Sequence, residues 1–326
     1  MTKGQSSRNT TTPYGNLVLG NKDKLMISYK REPSHDYSMN GACGVMFEGE
    51  MHFFGGFSED PGYNITHQHF VIETQRGGQT VEMIRNEYLK FGMIDPSCSN
   101  FEMTSEYFPW FKTNVVILCF GYGRERSCYS FDGKLNHIGD SNFGHWYGGL
   151  TKYKQTLLTA GGRASALNDF QKTEILKLDR NRNFTWSVVE PEFKFTPGKW
   201  ISGHSLINVE SSDVSEEYVL LIGGQNCHFQ ALDNVFKFNG TWSSFGKLNS
   251  RRWLHNSIYW NGAIYVIGGK YDSGHGHSYM NTKMEIWNIK DSPDQFQTIE
   301  TWPELIDWQY PHLFIVPDSF FPDVVK

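Results

Sequence analysis

Two stretches more than two hundred residues apart follow the same pattern. In each, a glycine at a turn precedes a short run of apolar and aromatic residues that ends in a Gly-Gly pair, and the stretches are 48–56 and 261–269. A run this short suits a β-strand, and paired glycines suit a sharp exit from it, because only glycine adopts positive φ at little cost. The chain is therefore predicted to be built from repeated strand units.

The pattern recurs between these two stretches. Apolar strands also end in Gly-Gly at 161–162 and 223–224, and a degenerate copy ends in Gly121. Consecutive copies lie 40 to 66 residues apart, which brackets the period of a propeller blade with loop insertions. The glycines predicted to end these strands are Gly55, Gly56, Gly161, Gly162, Gly223, Gly224, Gly268 and Gly269.

Several copies continue into a second amphipathic strand with an acidic residue near its start and a tryptophan after it. Glu174 precedes Trp186 in this way, and Asp233 precedes Trp242. These features resemble the kelch repeat family, whose blades carry a turn glycine, a Gly-Gly after the second strand, an acidic residue opening the third strand and a Trp in the fourth. The resemblance covers roughly residues 40 to 316. It favours Trp186 and Trp242 as core residues between adjacent sheets.

The end of the chain predicts how the repeats close. Projecting the strand at 264–267 forward by about one period reaches the apolar residues 313–316, which lack a Gly-Gly pair. The missing strands are expected from the N-terminus, at 17–19 and 24–28, because joining both ends in one blade removes the exposed sheet edges. We predict an all-β, six-bladed kelch-type β-propeller closed in this way. Its parts are a disordered tail at 1–13 and one domain at 14–326, with blades near 41–90, 98–140, 145–190, 203–245, 255–302, and 303–320 completed by 16–30.

Composition bears on partners and location. A net charge of −5 argues against nucleic acid, because phosphate binding needs a concentrated basic surface. The longest unbroken apolar run, 115–120, is far shorter than a bilayer span. Residues 1–13 are polar and do not form a signal peptide as given, so a cytoplasmic location is expected, or an extracellular one if the native N-terminus carries a signal.

The cysteines and the glycosylation sequons leave an extracellular location open. The chain has five cysteines, an odd number, which favours reduced thiols. Cys119 and Cys128 would nevertheless lie on neighbouring strands joined by a short loop, so a disulfide between them is geometrically conceivable. Asn-x-Ser/Thr sequons occur at Asn9, Asn64, Asn183 and Asn239. A disulfide-braced extracellular scaffold is therefore one alternative to an intracellular protein.

Histidine pairs and repeated glutamates are the features of the sequence that bear on whether the chain is an enzyme. Two His-x-His pairs are weak candidates for a metal site, because alternate residues of an extended chain point the same way; they are His67, His69, His275 and His277. Both pairs follow a Gly-Gly, which is more typical of histidines in surface loops. Glu174 and Glu285 occupy equivalent repeat positions, which favours a structural role. No catalytic residue, metal or cofactor is expected.

The remaining candidate is a binding surface. In a propeller, the loops between second and third strands and the loops between blades lie on one face, which we call the loop face. In this chain these loops are rich in Arg, Tyr and Trp, the residue types that dominate protein interfaces. The predicted partner-binding residues are Arg124, Arg126, Arg163, Arg252, Tyr63, Tyr122, Tyr271 and Trp253.

We expect these residues to bind a partner protein through an acidic loop or peptide, because arginine pairs well with carboxylates. The kelch resemblance implies a substrate receptor of a ubiquitin ligase, an actin-binding protein or another scaffold. Such proteins usually use a helical adaptor domain, so that role would require either a longer parent chain or a separate adaptor protein. The alternative is a propeller enzyme or a carbohydrate-handling protein that uses the central depression of the same face.

Overall fold

The computed structural model describes most of the repeat region. The described residues are 14–19, 24–30, 41–56, 69–74, 81–86, 96–102, 114–163, 171–178, 184–211, 213–272, 278–289, 296–299 and 312–316. In these ranges the chain forms β-strands, turns and a short 3₁₀ helix at Val214–Glu216, with no α-helix. Within them, accordingly, no helix is long and apolar enough to cross a bilayer. The predicted tail at 1–13 lies outside the described residues.

The first strands are β1 and β2, Tyr14–Leu19 and Lys24–Lys30. Sheets 1, 2 and 3 follow, each four-stranded and antiparallel. Sheet 1 consists of β3 Ala42–Phe47, β4 Glu50–Gly55, β5 His69–Thr74 and β6 Val81–Asn86. Sheet 2 consists of β7 Ser97–Glu102, β8 Asn114–Gly121, β9 Arg124–Phe131 and β10 Leu135–Asp140. Sheet 3 consists of β11 Gly149–Tyr153, β12 Thr156–Ala160, β13 Thr173–Leu178 and β14 Phe184–Val188.

Sheets 4 and 5 repeat this architecture, with short two-stranded ribbons in their loops. Sheet 4 contains β16 Ser205–Val209, β17 Tyr218–Ile222, β19 Asn234–Phe238 and β20 Trp242–Lys247. Its ribbon pairs β15 Ile201–Ser202 with β18 Gln225–Asn226. Sheet 5 contains β21 Asn256–Trp260, β22 Ala263–Ile267, β25 Met284–Asn288 and β26 Gln297–Ile299. Its ribbon pairs β23 Lys270–Asp272 with β24 Ser278–Met280.

The two ends of the chain meet in one more sheet. The last strand, β27 at His312–Val316, pairs antiparallel with β2, and β2 pairs with β1. The first strand of each sheet contacts the first strand of the next, and β27 contacts both β3 and β21. The prediction of an all-β, propeller-like fold is confirmed.

Adjacent residues of the second strands of sheets 2, 3 and 4 pack toward opposite neighbours. On β17, Val219 and Leu221 belong to the core shared with sheet 3, whereas Leu220 and Ile222 belong to the core shared with sheet 5. Both faces of such a strand are buried, which explains why its sequence is continuously apolar instead of alternating. The core therefore consists of successive layers between sheets.

The two predicted core tryptophans lie in these layers. Trp242 is buried and packs on Phe195, and its indole N–H donates a hydrogen bond of 2.8 Å to the Thr173 hydroxyl of sheet 3. Trp186 is partly buried and contacts Phe120 in the layer between sheets 2 and 3. Each indole thus joins its own sheet to a neighbouring one.

All four Gly-Gly pairs adopt positive φ at both residues. At two of these pairs, a histidine of the following sheet approaches the first glycine closely. A Cβ on Gly161 would lie 2.7 Å from the His204 ring, and a Cβ on Gly223 would lie 2.9 Å from the His255 ring. Each histidine comes from the following sheet, so the first glycine of a pair is the contact point between two sheets.

Four of the five cysteines are paired as disulfides. Cys119 and Cys128 face each other across β8 and β9, with a Cα–Cα distance of 4.2 Å. Cys43 and Cys98 join β3 to β7 and so connect sheet 1 to sheet 2. Only Cys227 is free. The expectation of reduced thiols is therefore wrong for four cysteines, because the fold brings together residues 55 positions apart in sequence.

Replacing Gly223 by alanine should destabilise the protein strongly. Positive φ costs a non-glycine residue about 1–2 kcal/mol, and overpacking against Arg252 and His255 adds about 1–3 kcal/mol. The matched control is Gly240→Ala, which has φ of 83° but no atom within 4 Å of the new Cβ, so it carries the first cost alone. Urea unfolding of both variants measures the difference. Equal destabilisation would show that the contact between sheets has no energetic weight.

Candidate functional site

The loops that follow the Gly-Gly pairs lie beside the loops that precede the first strands. Backbone bridges join Trp146 to Arg163 and Trp253 to Lys270. The members of each pair come from the two kinds of loop. The two kinds of loop therefore lie side by side at one end of sheets 3 and 5, as the predicted loop face requires.

Arg163 lies at the centre of an aromatic cluster on this face. Its guanidinium carbon is 4.2 Å from the Trp200 ring centroid, 5.7 Å from that of Tyr147 and 5.6 Å from that of Phe229. Its Nε donates to the Ser202 hydroxyl at 2.9 Å. Stacking and hydrogen bonding hold the planar group in one orientation, which is how arginine is prepared to bind an anion. We call Arg163, Tyr147, Trp200 and Phe229 the arginine cluster.

Hydrogen bonding also ties the arginine cluster to two sheets. Arg163 follows Gly162 of sheet 3, but its Nη2 donates to the Gln225 side-chain oxygen of the sheet 4 ribbon at 2.8 Å. Gln225 is itself held, since its amide nitrogen donates to the Phe229 carbonyl at 3.2 Å. The position of the guanidinium therefore depends on how sheets 3 and 4 pack.

Exposed aromatic side chains belong to the arginine cluster or lie next to it. Phe229 is 62% exposed and packs edge-on against Trp200. Tyr122 is 49% exposed and contacts Trp146, which stacks on Tyr147 at 4.5 Å between ring centroids. Large exposed rings next to an oriented cation are typical of a binding surface.

A second aromatic pair lies on the ribbon of sheet 5. Tyr271 and Tyr279 stack at 5.8 Å between ring centroids and are 40% and 49% exposed. The neighbouring Asp272 carboxylate accepts a hydrogen bond from the Ala231 backbone, so this ribbon is tied to the loop of sheet 4 that carries Phe229.

A cavity of about 270 Å³ lies where the first strands converge. Tyr147 lines it, so the cavity adjoins the arginine cluster. The described part of its lining consists mainly of glycines, serines, histidines and apolar residues, and none of these described residues is Asp, Glu, Lys or Arg. Each of six strands, β3, β7, β11, β16, β21 and β27, contributes to the wall through Ala42, Ser97, Leu150, Ser205, Asn256 and Leu313.

The other predicted arginines of sheet 2 brace their surroundings. Arg124 is exposed and donates to the Tyr129 hydroxyl at 2.6 Å. Arg126 is also exposed, and its Nε donates to the Ser141 carbonyl at 2.7 Å. Trp253 is partly buried and has the Lys270 ammonium 5.8 Å from its ring centroid. The predicted Tyr63 lies outside the described residues.

Arg252 is fully buried, which corrects the prediction that it meets a partner. Its guanidinium donates to Glu285 at 2.6 Å and to the carbonyls of Gly268 and Lys283. Glu285 also accepts from the backbone amides of Asn249 and Ser250, which lie in the loop entering sheet 5. The pair therefore closes the loop that enters sheet 5, and Arg252 braces this loop instead of meeting a partner.

Glu174 binds the loop that enters sheet 3 in the same way as Glu285 binds that of sheet 5. Its buried carboxylate accepts from the backbone amides of Asn142 and Phe143 and from His145 at 3.0 Å. Burial alone would raise the pKa of Glu174, but the hydrogen bonds from His145, Asn142 and Phe143 outweigh it and lower that pKa. The geometry agrees with the predicted structural role of the repeated glutamates.

Sequence reasoning missed two histidines that line the cavity and hold neighbouring sheets together. His204 bonds through Nε2 to the Ala160 carbonyl of sheet 3 at 2.9 Å. The His255 Nε2 lies 3.1 Å from the Ser205 hydroxyl of sheet 4. Each stands directly before the first strand of its sheet, and this recurring position is the signal that could have revealed them. Burial lowers the pKa of His204 to about 4 and that of His255 well below its usual value, so both are neutral at physiological pH.

Of the four weak metal candidates, only His69 falls in the described residues; His67, His275 and His277 do not. His69 is buried, stacks on Phe54 at 4.4 Å between ring centroids, and hydrogen-bonds His52 at 2.8 Å. Burial lowers the pKa of His52 to about 4 and that of His69 to about 3. In the described part of the chain, no group of three or more His, Cys, Asp or Glu side chains is arranged to hold a metal ion.

Comparison with known proteins supports the fold and goes no further. No family model and no curated protein sequence matches the chain. Solved structures do resemble it, and one is titled "Structure of YjhT". That structure superposes with a TM-score of 0.63 over 90% of this chain and 99% of its own, at 13% sequence identity. At this identity the likeness shows the β-propeller fold alone.

Lowering the pH from 7 to 4.5 should destabilise the protein. The folded chain holds His52, His69 and His204 neutral, with pKa values of about 4, 3 and 4. The unfolded chain takes up protons below about pH 6.5, so stability is complete above that pH and falls below it, by up to about 1.4 kcal/mol per pH unit for each histidine. Glutamates of lowered pKa lose their contribution to stability only below about pH 4.3. The loss of stability above that pH is therefore assigned to the histidines.

Thermal melts between pH 7.5 and 4.5 measure this dependence. His204→Gln is the matched variant, because glutamine keeps an N–H donor for Ala160 and does not titrate. Its melting temperature should fall less steeply with pH than that of the wild type. A wild-type stability that stays flat across the window would contradict the account.

Proposed function

We propose that the protein is a non-enzymatic binding module that takes an acidic segment of a partner protein on its loop face. The observation that carries the proposal is the arginine cluster. A guanidinium held by Trp200, Ser202 and Gln225 needs little reorganisation to bind a carboxylate. The rings around it supply the apolar area that such an interface needs.

The charge distribution supports an acidic partner. The chain carries a net charge of −5, yet its loop face presents several cations. Lys199, beside Trp200, is exposed, and Lys270 lies over Trp253. The carboxylate of Asp272 on the same face is already engaged with the Ala231 backbone. Cations on the described part of this face would attract an acidic segment and repel a basic one.

We also propose that the sheets form a closed six-bladed ring of the kelch type, with β1, β2 and β27 as the sixth blade. Two observations support this. β27 contacts both β3 and β21, and six first strands share the wall of one cavity. The Gly-Gly exits and the repeated glutamates at Glu174 and Glu285 agree with the kelch resemblance. In such a ring the arginine cluster surrounds one side of the mouth of the cavity.

A receptor or scaffold role follows from this proposal. A partner held on the loop face would be presented to a separate adaptor protein, as in the ubiquitin ligase or actin-binding roles that the kelch resemblance implies. The face opposite the loop face would then be available to the adaptor.

A carbohydrate-handling protein is the second candidate. The stacked, exposed pair of Tyr271 and Tyr279 and the uncharged cavity wall favour it, because sugars stack on aromatic rings and bond to neutral polar groups. A neutral sugar would not require Arg163. The two candidates therefore differ in how binding responds to the loss of that charge.

Selection of random displayed peptides against the wild-type protein tests the proposal. We expect enriched sequences to contain Asp or Glu beside an apolar or aromatic residue. For a synthetic copy of the best peptide, Arg163→Ala should weaken binding roughly ten- to hundredfold, the equivalent of about 1.5–3 kcal/mol for hydrogen bonds to a charged group. Calorimetry at two salt concentrations should show weaker binding at the higher one.

Matched variants separate binding from folding. Arg163→Lys keeps the charge but loses the planar fork, so its affinity should lie between wild type and Arg163→Ala. Phe229→Ala removes an exposed ring and should weaken binding without lowering the melting temperature. Lys177→Ala removes an exposed charge from β13, near the far end of sheet 3, and should leave binding unchanged. Enriched peptides without acidic residues, or equal binding by all variants, would contradict the proposal.

A further inference from the structure

One sequon falls in the described part of the chain, and its setting suits a covalent glycan. Asn239, Gly240 and Thr241 form the tight turn between β19 and β20, and all three residues are exposed. The backbone N–H of Asn239 donates a hydrogen bond of 3.2 Å to the backbone carbonyl of Thr241, which closes the turn. No atom lies within 4 Å of a Cβ built on Gly240, so the space around the turn is open. The other sequons, at Asn9, Asn64 and Asn183, lie outside the described residues.

The strand register places this turn far from the loop face. β17 leaves sheet 4 toward the loop face after Ile222, which pairs with Val235. Phe238, which precedes the turn, pairs with Val219 at the other end of β17. A glycan on Asn239 would therefore project from the opposite face and leave the arginine cluster accessible.

The cysteine pairs provide an independent observation about the compartment. Cys43–Cys98 joins sheets 1 and 2, and Cys119–Cys128 joins two strands of sheet 2. Disulfides persist in the endoplasmic reticulum and outside the cell, whereas cytosolic thiols are kept reduced. An Asn-x-Thr sequon on an exposed turn is an acceptor for N-linked glycan in that same compartment.

We propose that Asn239 is a site of N-linked glycosylation in a protein that passes through the secretory pathway. In this reaction the Asn239 side-chain nitrogen bonds to the anomeric carbon of a lipid-linked oligosaccharide. The bond from that carbon to the lipid pyrophosphate breaks, the pyrophosphate leaves with the electron pair, and the amide loses one proton. This proposal replaces the expected cytoplasmic location with the extracellular alternative. It leaves the binding of an acidic segment on the loop face unaffected, but it is incompatible with the ubiquitin ligase and actin-binding roles, which are intracellular.

The protein isolated from its native source tests the proposal directly. Treatment with a peptide N-glycosidase in heavy-oxygen water converts a glycosylated asparagine into labelled aspartate, which peptide mass spectrometry locates. We expect label at Asn239. Alkylation without reduction should modify Cys227 and spare the four paired cysteines. An unmodified Asn239 before enzyme treatment, or alkylation of all five cysteines, would overturn the proposal.

Variants secreted from eukaryotic cells provide a second measurement. Thr241→Ala removes the sequon and should abolish the glycosidase-sensitive shift in electrophoretic mobility assigned to this site. Thr241→Ser keeps the sequon and should retain the shift. Both substitutions fall on an exposed turn residue, so folding is expected to be unaffected. A shift that is the same in both variants would place the glycan elsewhere and contradict the assignment.

Discussion

The contact between a glycine of one sheet and a histidine of the next is the constraint on which the rest of the structure depends. The His204 ring occupies the space that a side chain at Gly161 would fill, and its Nε2 bonds the carbonyl directly before that glycine. The His255 ring packs in the same way on Gly223, and its Nε2 pairs with the Ser205 hydroxyl of sheet 4. A bare backbone, a left-handed exit and a neutral imidazole act together, because a change to any one of them would weaken the contact between the sheets.

The candidate site follows from this packing. Arg163 comes immediately after the glycine pair of sheet 3, yet its hydrogen bonds go to Ser202 and Gln225 of the sheet 4 ribbon. The guanidinium therefore takes its orientation from the junction that His204 secures a few residues away. Arg163 is thus anchored at its backbone by the bridge to Trp146 and at its side chain by the sheet 4 ribbon.

Features that repeat along the chain could be predicted from the sequence, whereas contacts between residues distant in sequence could not. Glycine pairs such as 161–162 and the core role of Trp242 could be predicted, because strand exits and sheet layers repeat along the chain. The pairing of Arg252 with Glu285 could not, because the two residues are 33 positions apart in sequence. The Cys43–Cys98 pair likewise depends on two strands in different sheets. Among the predicted binding residues, Arg163 is distinguished by partners that only the folded chain brings together.

Nuclear magnetic resonance of the tryptophan indole N–H groups tests the central claim, that a partner binds at the arginine cluster. Trp200 stacks on Arg163, whereas Trp242 is buried between sheets 3 and 4 with its N–H bonded to Thr173. Titration with the selected acidic peptide should shift the Trp200 resonance and leave that of Trp242 in place. A peptide that binds without shifting Trp200, or that shifts Trp242 alone, would show that the partner is held elsewhere.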